Sequence, residues 1–152
     1  MTLTLSSPAF GPGKSIPEKF SCKGSNVSPA LIWTGAPANT ASYAIIVDDP
    51  DAPSGTFVHW VIYNIPSISN GLAEAVPQSP TFDDGTAQGK NSGNSQYYQG
   101  PCPPSGTHRY FFKLYALDSQ LELPPGATAV QVMKAMQGHI LAQGELMGTF
   151  SK

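Results

Sequence analysis

Two histidines and one aspartate lie within or next to apolar segments of a chain that has little charge. Asp49 directly follows the segment SYAIIVD, His59 lies inside FVHWVIYNI, and His108 begins HRYFFKLYALD. If the three segments are neighbouring strands, their polar ends meet in one pocket, where two imidazoles can donate hydrogen bonds to a phosphate or carboxylate. Asp49 would then orient one imidazole and support its protonation, or bind an ammonium group. The alternative is that each histidine is structural and bonds to a backbone carbonyl.

Arg109 is the only arginine of the chain and comes directly after His108. A partly buried guanidinium group favours a carboxylate that accepts two hydrogen bonds from it. Asp51 is a candidate, and we predict a structural ion pair between Asp51 and Arg109 that joins the two motifs. The alternative is a solvated arginine at the surface.

Apolar and β-branched segments predict most of the strands. Five segments have this character: 3–5, 42–48, 57–65, 108–118 and 145–150. Since successive side chains of a strand point to opposite faces, those of Phe57, His59, Val61 and Tyr63 are predicted to share one face. Both faces of this strand are largely apolar, which indicates a central strand covered on both sides.

One helix is predicted near the C-terminus. Thr128 and Gln131 fit a capping box, apolar residues recur at helical spacing as far as Ile140, and Gly144 is a plausible stop. The chain also has 15 glycines and 15 prolines, which favour short strands joined by structured loops. We therefore predict a mainly β single domain over residues 1–152, a sandwich or barrel with one helix and short helical turns.

The composition excludes several classes of function. Charged residues make up 12% of the chain and the net charge is −2. Without a basic patch, nucleic-acid binding and electrostatic attraction to a membrane are not expected. The first residues show neither a signal peptide nor a long apolar run, so we expect a cytoplasmic protein that is not an integral membrane protein.

Cys22 and Cys102 are the only cysteines. Two cysteines in unrelated motifs do not make a disulfide framework, and cytosolic thiols usually stay reduced. We expect free thiols, although a bridge is possible if the fold brings the two residues close.

Three motifs in this order carry a resemblance to a known family. They are DPDAP (49–53), the histidine of FVHW and GPCPPSGTHRY (100–110), and the resemblance extends over nearly the whole chain. The sequence resembles the phosphatidylethanolamine-binding protein family, in particular its bacterial and archaeal branch that is labelled Raf-kinase-inhibitor-like.

The resemblance implies a Greek-key β-sandwich with a small surface pocket for anionic groups. The residues it assigns to ligand binding are Asp49, His59, His108, Tyr110, Gly100 and Pro101. It also implies a structural cis peptide bond before Pro53, which would aim Asp49 inward. Tyr97 stands where members of this branch usually have glycine, and its bulk is expected to narrow the pocket mouth or to reshape the loop.

A non-enzymatic binding protein is the function that these observations favour. Its expected ligand is a phosphate- or carboxylate-bearing group such as a phospholipid headgroup, and it would regulate a kinase or another partner protein. One alternative is a protease or kinase inhibitor that acts through the long loop 66–107. The other is a metal-dependent hydrolase that uses His59, His108 and Asp49 as metal ligands. No cofactor is expected, and a homodimer is possible.

Overall fold

The computed structural model describes residues 3–152, and its strands form two antiparallel sheets. The elements are β1 (Thr4–Ser6), a 3-10 helix (Glu18–Phe20), β2 (Leu31–Thr34), β3 (Ser42–Asp49), β4 (Phe57–Pro66), β5 (Gly71–Leu72), β6 (Ala87–Gln88), β7 (Thr107–Leu117), α1 (Ala129–Met136) and β8 (Ile140–Ser151). One sheet has the strand order β1-β2-β5, and the other has the order β6-β4-β3-β7-β8. This arrangement confirms the predicted mainly β fold with one helix.

The central strand β3 is covered on both faces. Tyr43, Ile45 and Val47 belong to the apolar core between the two sheets. Ala44 and Ile46 point the other way, into a second core that lies under α1. Because both faces of β3 are buried, apolar residues follow one another along the strand without a break. The sheet also places β4 and β7 on either side of β3, so the three segments are neighbouring strands.

A β-bulge at His59 changes the faces of β4. The pairing with β3 shifts between Val47–Trp60 and Asp48–Val58, which leaves His59 without a partner. An extra residue of this kind reverses the sheet face to which the side chains on one side of the bulge point. Val61 and Tyr63 therefore pack in the core under α1, whereas His59 and Phe57 do not. The prediction that these four side chains share one face is wrong because strict alternation ends at the bulge.

The helix begins as predicted and ends earlier. Both hydrogen bonds of the capping box between Thr128 and Gln131 are present. Gly138, with φ of +81°, follows the last turn, and β8 starts two residues later. Gly144 does not end the helix, because it lies inside β8. Glycine is needed there because an added Cβ would be 2.6 Å from the Leu3 carbonyl oxygen. None of the described helices is long and apolar enough to cross a membrane.

Cys22 and Cys102 form a disulfide, and their Cα atoms are 5.5 Å apart. The expectation of free thiols is therefore wrong. Hydrogen bonds between the two segments bring the cysteines together. The Cys22 amide donates to the Pro101 carbonyl at 3.1 Å, and the Tyr98 hydroxyl donates to the Phe20 carbonyl at 2.7 Å. Neither contact can be inferred from local sequence patterns.

Reduction of the disulfide should destabilise the protein. The bridge joins residues 80 positions apart, and closing a loop of that length in the unfolded chain contributes about 4.5 kcal/mol in the chain-entropy model. Urea unfolding of the oxidised and reduced protein, and of the Cys22→Ser/Cys102→Ser variant, measures the difference. Equal free energies of unfolding in the oxidised and reduced states would contradict this expectation.

Candidate functional site

A cavity of about 180 Å³ lies where β3 ends and where β4 and β7 begin. Its polar lining consists of Asp49, His59, Gln99, His108 and Tyr110. Its remaining lining is Ala52, Pro53, Phe57, Cys102, Pro103 and Pro104. Because β3 is antiparallel to both neighbours, the end of one strand and the starts of the other two meet at the same edge of the sheet. The structure thus brings together the carboxylate and the two imidazoles that the sequence singled out.

Asp49 fixes the orientation of His108. Its carboxylate oxygen Oδ2 is 2.7 Å from Nδ1 of His108, and the other oxygen accepts the Asp51 amide at 2.8 Å. Both side chains are almost fully buried. An ionised carboxylate can only accept, so Nδ1 of His108 is a donor, and the second ring nitrogen, Nε2, is left for the cavity.

His59 has a different partner. Its Nδ1 is 2.7 Å from the carbonyl oxygen of Gln99. Burial lowers the pKa of His59, against the smaller opposing effects of that hydrogen bond and of the carboxylate of Asp49. Donation from His59 to an anion therefore requires a proton on its second ring nitrogen, Nε2, and stays a prediction. Its Nδ1 proton is already used by Gln99, and the neutral ring offers only an acceptor at Nε2.

Tyr110 lies between the two imidazoles. Its ring centroid is 5.2 Å from that of His59 and 6.4 Å from that of His108. Burial and the nearby carboxylate of Asp49 raise the pKa of Tyr110, so the phenol keeps its proton. Within residues 3–152 its hydroxyl is the only buried side-chain polar atom without a hydrogen-bond partner of normal geometry, although it lies near enough to the Asp49 carboxylate to interact with it weakly. Buried polar groups are nearly always bonded, so an unpartnered hydroxyl in a cavity wall indicates a place for a ligand or a water molecule.

Asp51 and Arg109 form the predicted ion pair beside the cavity. The guanidinium donates through Nε at 2.9 Å and through a terminal nitrogen at 2.8 Å, and the Arg109 amide donates to the same carboxylate. The pair is more exposed than the sequence suggested, since the Arg109 side chain is 52% accessible. These hydrogen bonds from Arg109 lower the pKa of Asp51 from 3.8 to about 2.

The peptide bond before Pro53 is trans, and the predicted cis bond is wrong. In the described part of the chain every peptide bond is trans. The chain turns by other means, since the Asp49 carboxylate accepts the Asp51 amide and the Gly55 amide donates to the Ala52 carbonyl at 3.1 Å. Most X-Pro bonds are trans, and this turn needs no exception. Pro53 nevertheless lines the cavity.

Gly100 and Pro101 stand behind the cavity and do not line it, contrary to prediction. The Gly100 amide donates to Oδ1 of Asn26 at 2.8 Å, so it is not free for a ligand. An added Cβ at Gly100 would be 2.1 Å from the Phe20 carbonyl oxygen, so glycine is required for packing. Pro101 accepts the Cys22 amide. Both residues attach the cavity wall to the segment 18–26.

Tyr97 also differs from expectation, because it is not among the cavity-lining residues. Its carbonyl accepts from the side chain of Asn91 at 2.9 Å, and its ring is partly exposed. Its bulk therefore does not narrow the cavity. Sequence reasoning missed Gln99, Cys102 and the two asparagines that hold this loop, Asn26 and Asn91. The only sequence signal was the number of amide side chains in the long loop 66–107.

The arrangement does not supply the ligands of a metal centre. Among residues 3–152, no group of three histidine, cysteine, aspartate or glutamate side chains is placed to hold a metal ion. Asp49 is already occupied by His108 and by the Asp51 amide. The alternative of a metal-dependent hydrolase that uses His59, His108 and Asp49 therefore lacks its ligand set.

The fold and the cavity define a class of protein: a β-sandwich with a small pocket at one end of its central strands. Residues 6–151 match the family described as phosphatidylethanolamine-binding protein. The chain is 49% identical over 150 residues to a UPF0098 protein of Methanothermobacter thermautotrophicus, covering 99% of each chain. It belongs to the phosphatidylethanolamine-binding protein family, which confirms the resemblance.

Two further similar proteins are a homologue with a crystal structure and a protein with a lipoprotein name. The crystal structure of the phosphatidylethanolamine-binding protein homologue CT736 from Chlamydia trachomatis superposes with a TM-score of 0.92 at 40% identity, and the match covers 99% of this chain and 98% of that one. A Mycobacterium tuberculosis protein with a lipoprotein name, LppC, is 47% identical over 97% of this chain and 72% of its own length.

The ion pair beside the cavity should be visible in a pH titration. Folding lowers the pKa of Asp51 from 3.8 to about 2. The pair therefore stabilises the fold above pH 3.8 and loses that effect as pH falls through the interval to about 2. NMR titration of the Asp51 carboxyl carbon should give a midpoint well below 3.8, and Arg109→Gln should raise it. A midpoint that does not change in Arg109→Gln would show that Arg109 is not the cause.

Proposed function

We propose that this protein is a non-enzymatic binding protein whose cavity takes a small phosphate- or carboxylate-bearing group. The observation that carries the proposal is the buried Tyr110 hydroxyl, which lies in the cavity wall between two imidazoles. Among the described residues it has no hydrogen bond of normal geometry, only a weak interaction with Asp49. An oxyanion in the cavity would accept from this hydroxyl, and from Nε2 of His108 when that nitrogen carries a proton.

The lining supports a ligand that is only partly polar. The polar groups come from β3, β4, β7 and Gln99, whereas Pro53, Phe57 and Pro103 contribute apolar surface to the same cavity. A charged head with a short organic substituent would satisfy both parts. Among the described residues no group of side chains is placed to hold a metal ion, and we propose binding and not turnover.

The partners remain predictions. Regulation of a kinase or another protein, assembly into a homodimer and the absence of nucleic-acid binding rest on the family resemblance and on composition. The alternative of an inhibitor that acts through residues 66–107 would leave the cavity without a role in binding. Chemical-shift mapping separates the two, because a phosphate titration should shift residues of the cavity only in the first case.

The hydroxyl of Tyr110 can be tested with a single-atom change. Tyr110→Phe removes an unpaired buried polar group, so the free energy of unfolding should stay the same or rise. Loss of one hydrogen bond to the ligand should weaken phosphate binding by about 5- to 10-fold. Calorimetric titration and urea unfolding of the same samples measure both quantities. Unchanged affinity would remove the observation on which the proposal depends.

His108→Ala should abolish anion binding while the domain stays folded. Because the change leaves the buried Asp49 carboxylate without its partner, some loss of stability is expected, and His108→Asn provides a second variant. The asparagine amide can still donate to Asp49 but lacks Nε2. His139→Ala, at an exposed histidine that pairs with Asp118, is the matched control. Normal phosphate affinity in folded His108→Asn would show that His108 is only structural.

Cytoplasmic location also remains a prediction, and the disulfide argues against it. Disulfides persist mainly in oxidising compartments, although intracellular proteins of hyperthermophiles are an exception. If the protein is cytoplasmic and reduced, a membrane-permeant maleimide should label Cys22 and Cys102 in intact cells. A bridged pair recovered from a periplasmic or extracellular fraction would contradict a cytoplasmic location.

A further inference from the structure

The hydrogen bond between His59 and Gln99 determines which ring nitrogen carries a proton. Nδ1 of His59 is 2.7 Å from the Gln99 carbonyl oxygen. A carbonyl oxygen has no hydrogen to give, so Nδ1 must be the donor. In a neutral imidazole the other nitrogen, Nε2, is then an acceptor with a free lone pair.

The surroundings of His59 favour the neutral ring. It is only 5% exposed, and it packs against Phe57 and edge-on against Tyr110. Burial lowers the pKa of His59. The carboxylates of Asp49 and Asp48 on β3 oppose this effect by attraction, and His108 and Tyr110 are the titratable groups on β7 that line the same cavity.

The cavity therefore combines a hydroxyl donor with a built-in acceptor. Tyr110 offers a hydroxyl that has no hydrogen bond of normal geometry, whereas Nε2 of His108, on a ring whose Nδ1 is bonded to Asp49, donates only when it carries a proton. The hydrogen bond of the His59 ring to the Gln99 carbonyl uses Nδ1, which leaves Nε2 for a ligand. An oxyanion with a hydroxyl group can donate to this nitrogen. An oxyanion without one would place a lone pair against a lone pair in a buried site, which is unfavourable.

We propose that the cavity selects oxyanions that carry a hydroxyl hydrogen, namely phosphate and the monoanions of phosphate monoesters, over sulfate and phosphodiesters. His59 is the residue that determines this specificity, through Nε2 as hydrogen-bond acceptor. The inference rests on the proposed function, since it requires that an anion occupies the cavity. Its chemistry is the same whether the ligand is free phosphate or the phosphoryl group of a small monoester.

The first experiment compares inorganic phosphate with sulfate at about pH 6 and constant ionic strength. Calorimetry gives the dissociation constants, and NMR shift mapping shows where each anion binds. Phosphate should bind at least about tenfold more tightly, as expected when one hydrogen bond replaces one repulsive contact. Equal affinities, with shifts at His108 and Tyr110, would overturn this inference and leave the anion site intact. If neither anion shifts residues of the cavity, the proposed function fails as well.

Variants of His59 test the assigned role. His59→Asn retains an amide that can donate to the Gln99 carbonyl but removes Nε2, so phosphate affinity should fall to the level of sulfate. His59→Gln places an amide that can donate or accept near Nε2, so sulfate affinity should rise. His139→Asn is the matched control and should change neither value. If both His59 variants fail to fold, the ratio of phosphate to sulfate affinity in the wild-type protein still tests the inference. A folded variant that keeps the wild-type ratio would contradict the role of His59.

A second pair of ligands distinguishes a free monoester from a lipid headgroup. Phosphorylethanolamine and glycerophosphoethanolamine share the ammonium and phosphoryl groups, but only the monoester can carry a P–OH. Its second pKa is about 6, so a large fraction is the hydroxyl-bearing monoanion at about pH 6. The monoester should bind more tightly. Tighter binding of the diester would identify a lipid-type headgroup as the preferred ligand and overturn the inference.

Discussion

The hydrogen bond between Asp49 and Nδ1 of His108 is the contact on which the cavity depends. It joins the end of β3 to the start of β7 within a site where both side chains are less than a tenth exposed. Taking such groups out of water opposes their attraction, so a buried pair of this kind adds little net stability. Its effect here is geometric, because it holds one imidazole in a fixed orientation at the cavity wall. Buried polar networks of this type cluster at functional sites.

The two imidazoles are not equivalent, because their second partners differ. His108 is bonded to an anion, whereas His59 is bonded to a neutral backbone carbonyl. The bulge in β4 produces this difference by turning the His59 ring away from the core under α1. The same sequence pattern, a histidine in an apolar strand, therefore gives two different chemical groups. Only the structure around each ring decides which nitrogen carries the proton.

The sequence predicted the parts of the fold that depend on local pattern. The long apolar runs gave β3, β4 and β7, and the capping box gave the start of α1. The meeting of Asp49, His59 and His108 followed, because neighbouring antiparallel strands bring their ends together. The bulge, the trans bond before Pro53 and the end of the helix at Gly138 were missed. Each depends on pairing or turn geometry that residue types alone do not specify.

The sequence also missed the second wall of the cavity, and the physical reason is distance along the chain. Gly100, Pro101 and Cys102 are bonded to the segment 18–26, more than 70 residues earlier. That segment supplies the Asn26 amide oxygen, the Phe20 carbonyl and one half of the disulfide. No periodicity or local motif reports such contacts.

The two walls of the cavity therefore have different origins. The sheet presents the polar groups, and a cross-linked loop rich in proline presents the Gln99 carbonyl and much of the apolar surface. Proline fixes φ and the disulfide restricts the loop, so little conformational freedom is left for a ligand to remove on binding. Gly100 allows the loop to lie directly against the Phe20 backbone. Asn26, which does not line the cavity, thus helps to position the Gln99 carbonyl by accepting from the amide of the same peptide unit, while the Gln99 amide donates to the His59 carbonyl.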